Sequence, residues 1–145
     1  MVRVSNDRFV KDESVAFDAE AIDRCIDSVM IGDVVGLKEI VAFAAYPSCG
    51  YSWNSFLLES FVRRFSNEFR YDALTQNSDN CGAIIRKRFS GDYHEAMASR
   101  LAKSCITLEK KAVYDFLIDT GLLARRRYSR IEPLIELAKQ MRKDG

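Results

Sequence analysis

The chain has 145 residues, 48% of them hydrophobic and 30% charged, a mixture that excludes a disordered polymer and fits one domain with its own core. Its net charge of +1 hides a polarity: residues 1–60 carry five Lys/Arg against ten Asp/Glu, a net of −5, while the remainder carries 17 against 11, a net of +6. No apolar run approaches the roughly 18 residues of a membrane-spanning helix, and Met1 to Lys11 has no signal-like apolar core, so a cytoplasmic protein without a membrane partner is expected.

Residues 1–17 show no clear period and are expected as a flexible N-terminal segment of a single 1–145 domain. Asp18 then caps a helix expected over Ala19 to Ile31, whose stripe is Ile22, Cys25, Ile26 and Val29 and whose other face is acidic. After Gly32-Asp33, the spacing of Val34, Leu37, Ile40, Val41 and Ala44 predicts a second, largely buried helix, stopped by Tyr46-Pro47-Ser48-Cys49-Gly50. A third helix starts near Ser52 or Asn54 and ends near Ser66, with Phe56, Leu57, Phe61, Val62 and Phe65 inward.

Between residues 69 and 89 the period changes. Phe69–Leu74 and Gly82–Phe89, separated by a polar tip over 75–80, predict a β-hairpin whose second strand is basic. The C-terminal helices occupy 92–143. Asp92 or Ser90 caps the first, Thr107 caps the next, Gly121 ends that one, and the last begins near Ser129 or Glu132. The fold class is therefore mainly α, with five or six helices and one β-hairpin.

The order of elements over Leu37–Phe89, two amphipathic helices joined by a Pro/Gly turn and followed by a basic hairpin, resembles a winged helix-turn-helix unit. That resemblance implies a recognition helix presenting Arg63 and Arg64, and a wing presenting Arg86, Lys87 and Arg88, to DNA or RNA. Large apolar residues dominate the third helix, which departs from a base-reading surface. A second stretch, Leu101-Ala102, Thr107 and Gly121-Leu122-Leu123, is similar to the helix-turn-helix "LA…GLL" pattern, but the glycine arrives a turn too soon, and a helical hairpin is expected there.

Arg125-Arg126-Arg127 follows a helix end, where cations are favoured by the helix dipole and where guanidinium forks suit phosphate. Tyr128 beside them is placed to stack on a base or sugar. The expected function is non-catalytic nucleic-acid backbone binding through the hairpin and this cluster. The alternative is a regulatory or protein-interaction subunit using the acidic first helix and an aromatic surface at Tyr51 and Trp53, with a homodimer as one way of matching the opposite charges. His94-Glu95 lacks a second histidine and reads as a surface pair. Glu109-Lys110-Lys111 lacks a second carboxylate, and no glycine-rich phosphate loop or nucleophile motif occurs. Cys25, Cys49, Cys81 and Cys105 have no metal-ligand spacing; reduced structural thiols are expected, Cys25 and Cys105 within helical stripes, with no metal, cofactor or catalytic residue.

Overall fold

The structure, a computed structural model, describes residues 1–75 and 80–145. A three-stranded antiparallel sheet in the order β3 (Val34–Gly36), β5 (Ala83–Arg86), β4 (Phe69–Asp72) forms the central layer. Its strands are short; β3 and β5 carry apolar residues on both faces, whereas β4 alternates Phe69 and Tyr71 with Arg70 and Asp72. Val34, Ala83 and Ile85 turn into one core with α3 (Tyr93–Lys103), α4 (Lys110–Asp119) and α5 (Ile131–Asp144). Val35, Ile84 and Phe69 turn into another with α1 (Ala19–Asp27) and α2 (Ser55–Arg64). Alternation along β3 and β5 thus supplies both faces, as expected of strands covered by helices on each side.

Among the described residues, five α-helices and two small sheets make this an α+β arrangement, which corrects the expectation of a mainly helical, winged-helix-like fold. The decisive segment is 34–44. Val34, Val35 and Gly36 pair with Ile85, Ile84 and Ala83, a single 3₁₀ turn spans Leu37–Glu39, and no regular element follows until Ser55. Short apolar runs carry helix and strand periods equally well, and β-branched Val34 and Val35 satisfy both faces of a sheet better than one face of a helix. With no helix there, the helix-turn-helix pair required by the winged-helix resemblance is absent. The basic hairpin is present as β4 and β5, with Phe69 opposite Arg86 and Asp72 opposite Ala83. Residues 76–79 of its expected tip lie outside the described residues.

Residues 1–17, expected to be flexible, are pinned to α2. β1 (Val2–Ser5) and β2 (Arg8–Val10) form a hairpin whose Val2 and Val4 are buried with Leu57. Ser60 Oγ accepts from Arg3 N–H and donates to Arg3 O, and Asn54 Nδ2 donates to Val4 O. The same Asn54 caps α2 by accepting from the N–H groups of Phe56 and Leu57.

Asp18 caps α1 as expected, accepting from Ala21 N–H at 3.1 Å. Asp23, buried on α1, accepts from Ser66 Oγ at 2.6 Å and from the N–H groups of Asn67 and Glu68, fixing the turn that leads from α2 into β4. Asp92 and Glu95 form a capping box on α3. At the other end of α3 the Arg142 guanidinium donates to the carbonyls of Leu101, Ala102, Ser104 and Ile106, so α5 caps α3. Thr107 is not the cap of α4: Glu109 holds that position, its N–H bonded to Thr107 O. Cys105 is exposed beyond α3 and Cys25 half-buried, so neither is the core residue its helical spacing indicated. No helix among the described residues is long and apolar enough to cross a membrane.

Candidate anion-binding loop

The charge polarity of the sequence is largely consumed inside the fold. Arg64 grips both carboxylate oxygens of Asp12, at 2.9 and 2.8 Å, and also donates to Met1 O. Arg86 pairs with Asp27 at 2.6 Å, Arg88 with Asp33 at 3.0 Å, and Arg100 with Glu39 at 2.6 Å. Each pair joins an acid from the first 60 residues to a base from the remainder. The Arg64 contact, with a second contribution from the N-terminal ammonium, holds the Asp12 carboxyl well below the usual carboxylate range.

Most of the other basic residues singled out from sequence also have partners within the chain. Arg63 pairs with Glu59 at 2.8 Å and lies over the Tyr71 ring, and Lys87 donates to Ser66 O at 3.0 Å. Nor do the hairpin cations join the Arg125–Arg127 cluster. Arg86 bonds to Gly32 O, and Gly32 lies against the side chain of Lys103, the last residue of α3. Tyr128 instead contacts His94, the second residue of α3. An 11-residue helix is about 15 Å long, so the Arg86 contact and the Tyr128 contact lie toward opposite ends of it.

The loop over 124–130 is held at both ends. Thr120 Oγ1 donates back to Phe116 O, Gly121 turns the chain with φ +79°, and the N–H groups of Leu122 and Leu123 both return to Leu117 O. Leu122 and Leu123 are buried, and Tyr93 donates from its hydroxyl to Leu122 O. At the far end Tyr128 N–H donates to the Tyr114 hydroxyl at 3.1 Å, and the Tyr128 hydroxyl meets His94 Nδ1 at 2.6 Å. Both partners of that last bond are buried, which corrects the expectation that His94 is a surface residue and Tyr128 a free stacking platform. Burial first, and the Arg130 charge second, lower the His94 pKa from its usual value; burial raises that of Tyr128, which therefore stays a hydroxyl.

Between these anchors Ala124, Arg125, Arg126 and Arg127 are exposed. Arg126 pairs with Asp115 and lies near the Tyr114 ring, and Arg130 lies 6.0 Å from the Tyr128 ring. The guanidiniums of Arg125 and Arg127 have no hydrogen bond, ion pair or ring contact among the described residues, unlike every other arginine of the chain. A guanidinium presents a planar fork of donors that matches phosphate or carboxylate oxygens.

Elsewhere the surface offers less. A recess of ≈ 310 Å³ is lined by Glu20, Asp23, Arg24, Asp27, Asn67 and Glu68, but Asp23 is engaged by backbone donors, Asp27 by Arg86 and Glu20 by Arg24. Trp53 is half-buried, packed between Phe17, Phe43 and Tyr46 with its Nε1 donating to Pro47 O, and the half-buried Tyr51 ring lies under Arg8. The exposed large hydrophobics include Val41, 79% exposed, with Ile31 and Val29, and also Phe9 beside Arg8. The loss of the expected helix at 34–44 puts Val41 outside, a signal that helical periodicity conceals. Comparison of the chain with protein-family models, with curated proteins and with solved structures returned no match.

Proposed function

We propose that this chain is a polyanion-binding module, with nucleic-acid backbone as its ligand, and that the binding element is the arginine loop 124–130 rather than the hairpin. The observation that carries this reading is the unpaired state of Arg125 and Arg127 on a loop whose ends are anchored by Tyr128 and Leu122. A fixed loop loses little conformational freedom on binding, and phosphates spaced along a strand suit two neighbouring guanidiniums. Contact through so few charges gives weak, sequence-tolerant binding, with dissociation constants on the order of 10⁻⁴ to 10⁻⁶ M at physiological salt.

The test is fluorescence anisotropy with labelled duplex and single-stranded oligonucleotides. Loss of binding in a folded Arg125→Ala/Arg127→Ala variant, and its retention in Lys87→Ala/Arg88→Ala, is the expected pattern. Absence of binding by the wild-type chain at low salt refutes it.

A second reading, a protein partner docking on aliphatic surface, is favoured by the exposure of Val41, Ile31 and Val29. It gains the first place if partner binding is abolished by Val41→Asp and unaffected by the loop variant.

A further inference from the structure

We propose that the His94–Tyr128 hydrogen bond couples proton uptake to anion binding at the arginine loop, so that each favours the other. This rests on the reading of residues 124–130 as the anion-holding element and deepens it. His94 is the only histidine of the chain and lies in the first turn of α3, 9% exposed, with Nδ1 2.6 Å from the Tyr128 hydroxyl.

The contact serves both protonation states. A neutral imidazole accepts the hydroxyl proton at Nδ1; an imidazolium donates from Nδ1 to the same oxygen, whose lone pairs are available to it. The loop therefore keeps its anchor as pH changes, and the variable is charge. The charged and titratable groups facing the imidazole are Arg130 and Tyr128 from the loop, and Asp92 and Glu95 from the cap and first turn of α3; Tyr114 of α4 stands behind, bonded to the Tyr128 backbone. Arg130 opposes protonation, the two carboxylates favour it, and burial opposes it most.

Arg127 immediately precedes Tyr128 in the chain, and Arg125 lies three residues before it. A phosphate bound by either guanidinium adds negative charge to the loop that carries the Tyr128 anchor, and an anion about 10 Å from a titrating group raises its midpoint by about half a unit across a partly solvated path. Linkage makes the effect reciprocal: protonated His94 strengthens anion binding by the same factor, about threefold. His94 is thus a positioning residue that also reports the charge state of the loop.

The experiment uses the whole chain and a short oligothymidylate, whose bases do not titrate near neutrality. The single imidazole gives one C2–H proton resonance, followed by NMR from about pH 5 to about pH 7.5 with and without saturating oligothymidylate. The expected result is a midpoint that rises by about half a unit on binding, with affinity about threefold higher at the acid end. If oligothymidylate binds and the midpoint does not move, the coupling is overturned while the arginine-loop reading stands. If nothing binds at either pH, both fall. In His94→Asn the amide oxygen accepts the Tyr128 bond but takes no proton; acid-strengthened binding is expected to flatten there, and an unchanged acid dependence in that variant overturns the coupling.

Discussion

Replacing Glu39 with alanine removes the anion from the most enclosed ion pair described. Its carboxylate is 19% exposed and the Arg100 side chain 8%, and they meet fork to fork, Nε at 3.0 Å and Nη2 at 2.6 Å. The same carboxylate accepts from Gly36 N–H at 2.6 Å, tying the end of β3 to α3. Arg100 Nη1 is already buried without a partner, so after truncation the guanidinium retains only the Phe116 ring, 5.0 Å away. Breaking such a pair from one side costs about 3–5 kcal/mol, because the surviving charge stays in a poorly solvated site. A folded chain of this size holds on the order of 5–15 kcal/mol, so Glu39→Ala consumes a large fraction of its stability. Urea denaturation with linear extrapolation measures the loss, with Glu20→Ala as control. The Glu20–Arg24 pair is 84% and 68% exposed and is expected to contribute less than about 0.5 kcal/mol. Replacing both partners, Glu39→Met with Arg100→Met, is expected to recover most of the loss. A Glu39→Ala effect below about 1 kcal/mol, or indistinguishable from the control, refutes the reading of this pair as an enclosed tie between β3 and α3.

Gly36→Ala places a methyl group against the Thr120 carbonyl oxygen, where the backbone of β3 and the end of α4 touch through the Lys38 N–H to Thr120 O bond; a loss of about 1–3 kcal/mol in thermal or urea unfolding is expected. Arg142→Ala removes the guanidinium from four carbonyls at the end of α3, of which Leu101 O keeps its Ser104 donors, and is expected to destabilise by about 2–3 kcal/mol, with amide exchange accelerating first in residues 101–106. His94 has a folded pKa below its unfolded value of 6.5, so the folded state binds fewer protons in that window: its contribution is complete above the unfolded value and is lost as pH falls toward the folded one. His94→Asn is expected to flatten the dependence of the urea midpoint on pH between about 6.5 and 5.

Much of the fold is legible where one residue has one local role. Asp18, Asn54 and Asp92 stand at helix starts with side chains that cap; the sequence reading names Asp18, and leaves Asn54 and Asp92 as one of two alternatives each, beside Ser52 and Ser90. The hairpin is legible too, because Phe69–Tyr71 and Ile84-Ile85 are strand formers on either side of a polar tip. The failure at 34–44 has a physical origin: Val34-Val35 and Ile84-Ile85 find each other across about 50 residues of chain, and no local spacing reveals that pairing. Residues 1–17 are expected as a flexible segment, but Val2 and Val4 are buried with Leu57 of α2, again a distant partner.

The candidate site was legible only as a list of charges. Arg86, Arg88 and Arg64 look identical to Arg125 and Arg127 in sequence; what separates them is the presence of Asp27, Asp33 and Asp12 in space. His94 carried no signal at all, since its partner Tyr128 lies 34 residues away.

The most direct test of this account is the slope of log affinity against log salt for a labelled duplex, measured for the wild type, Arg125→Ala/Arg127→Ala and Lys87→Ala/Arg88→Ala. Each phosphate neutralised contributes about −0.9 to that slope. The account predicts a loop variant whose slope is shallower by about two such contributions and a hairpin variant that keeps the wild-type slope. A slope that falls with the hairpin variant and holds with the loop variant contradicts it.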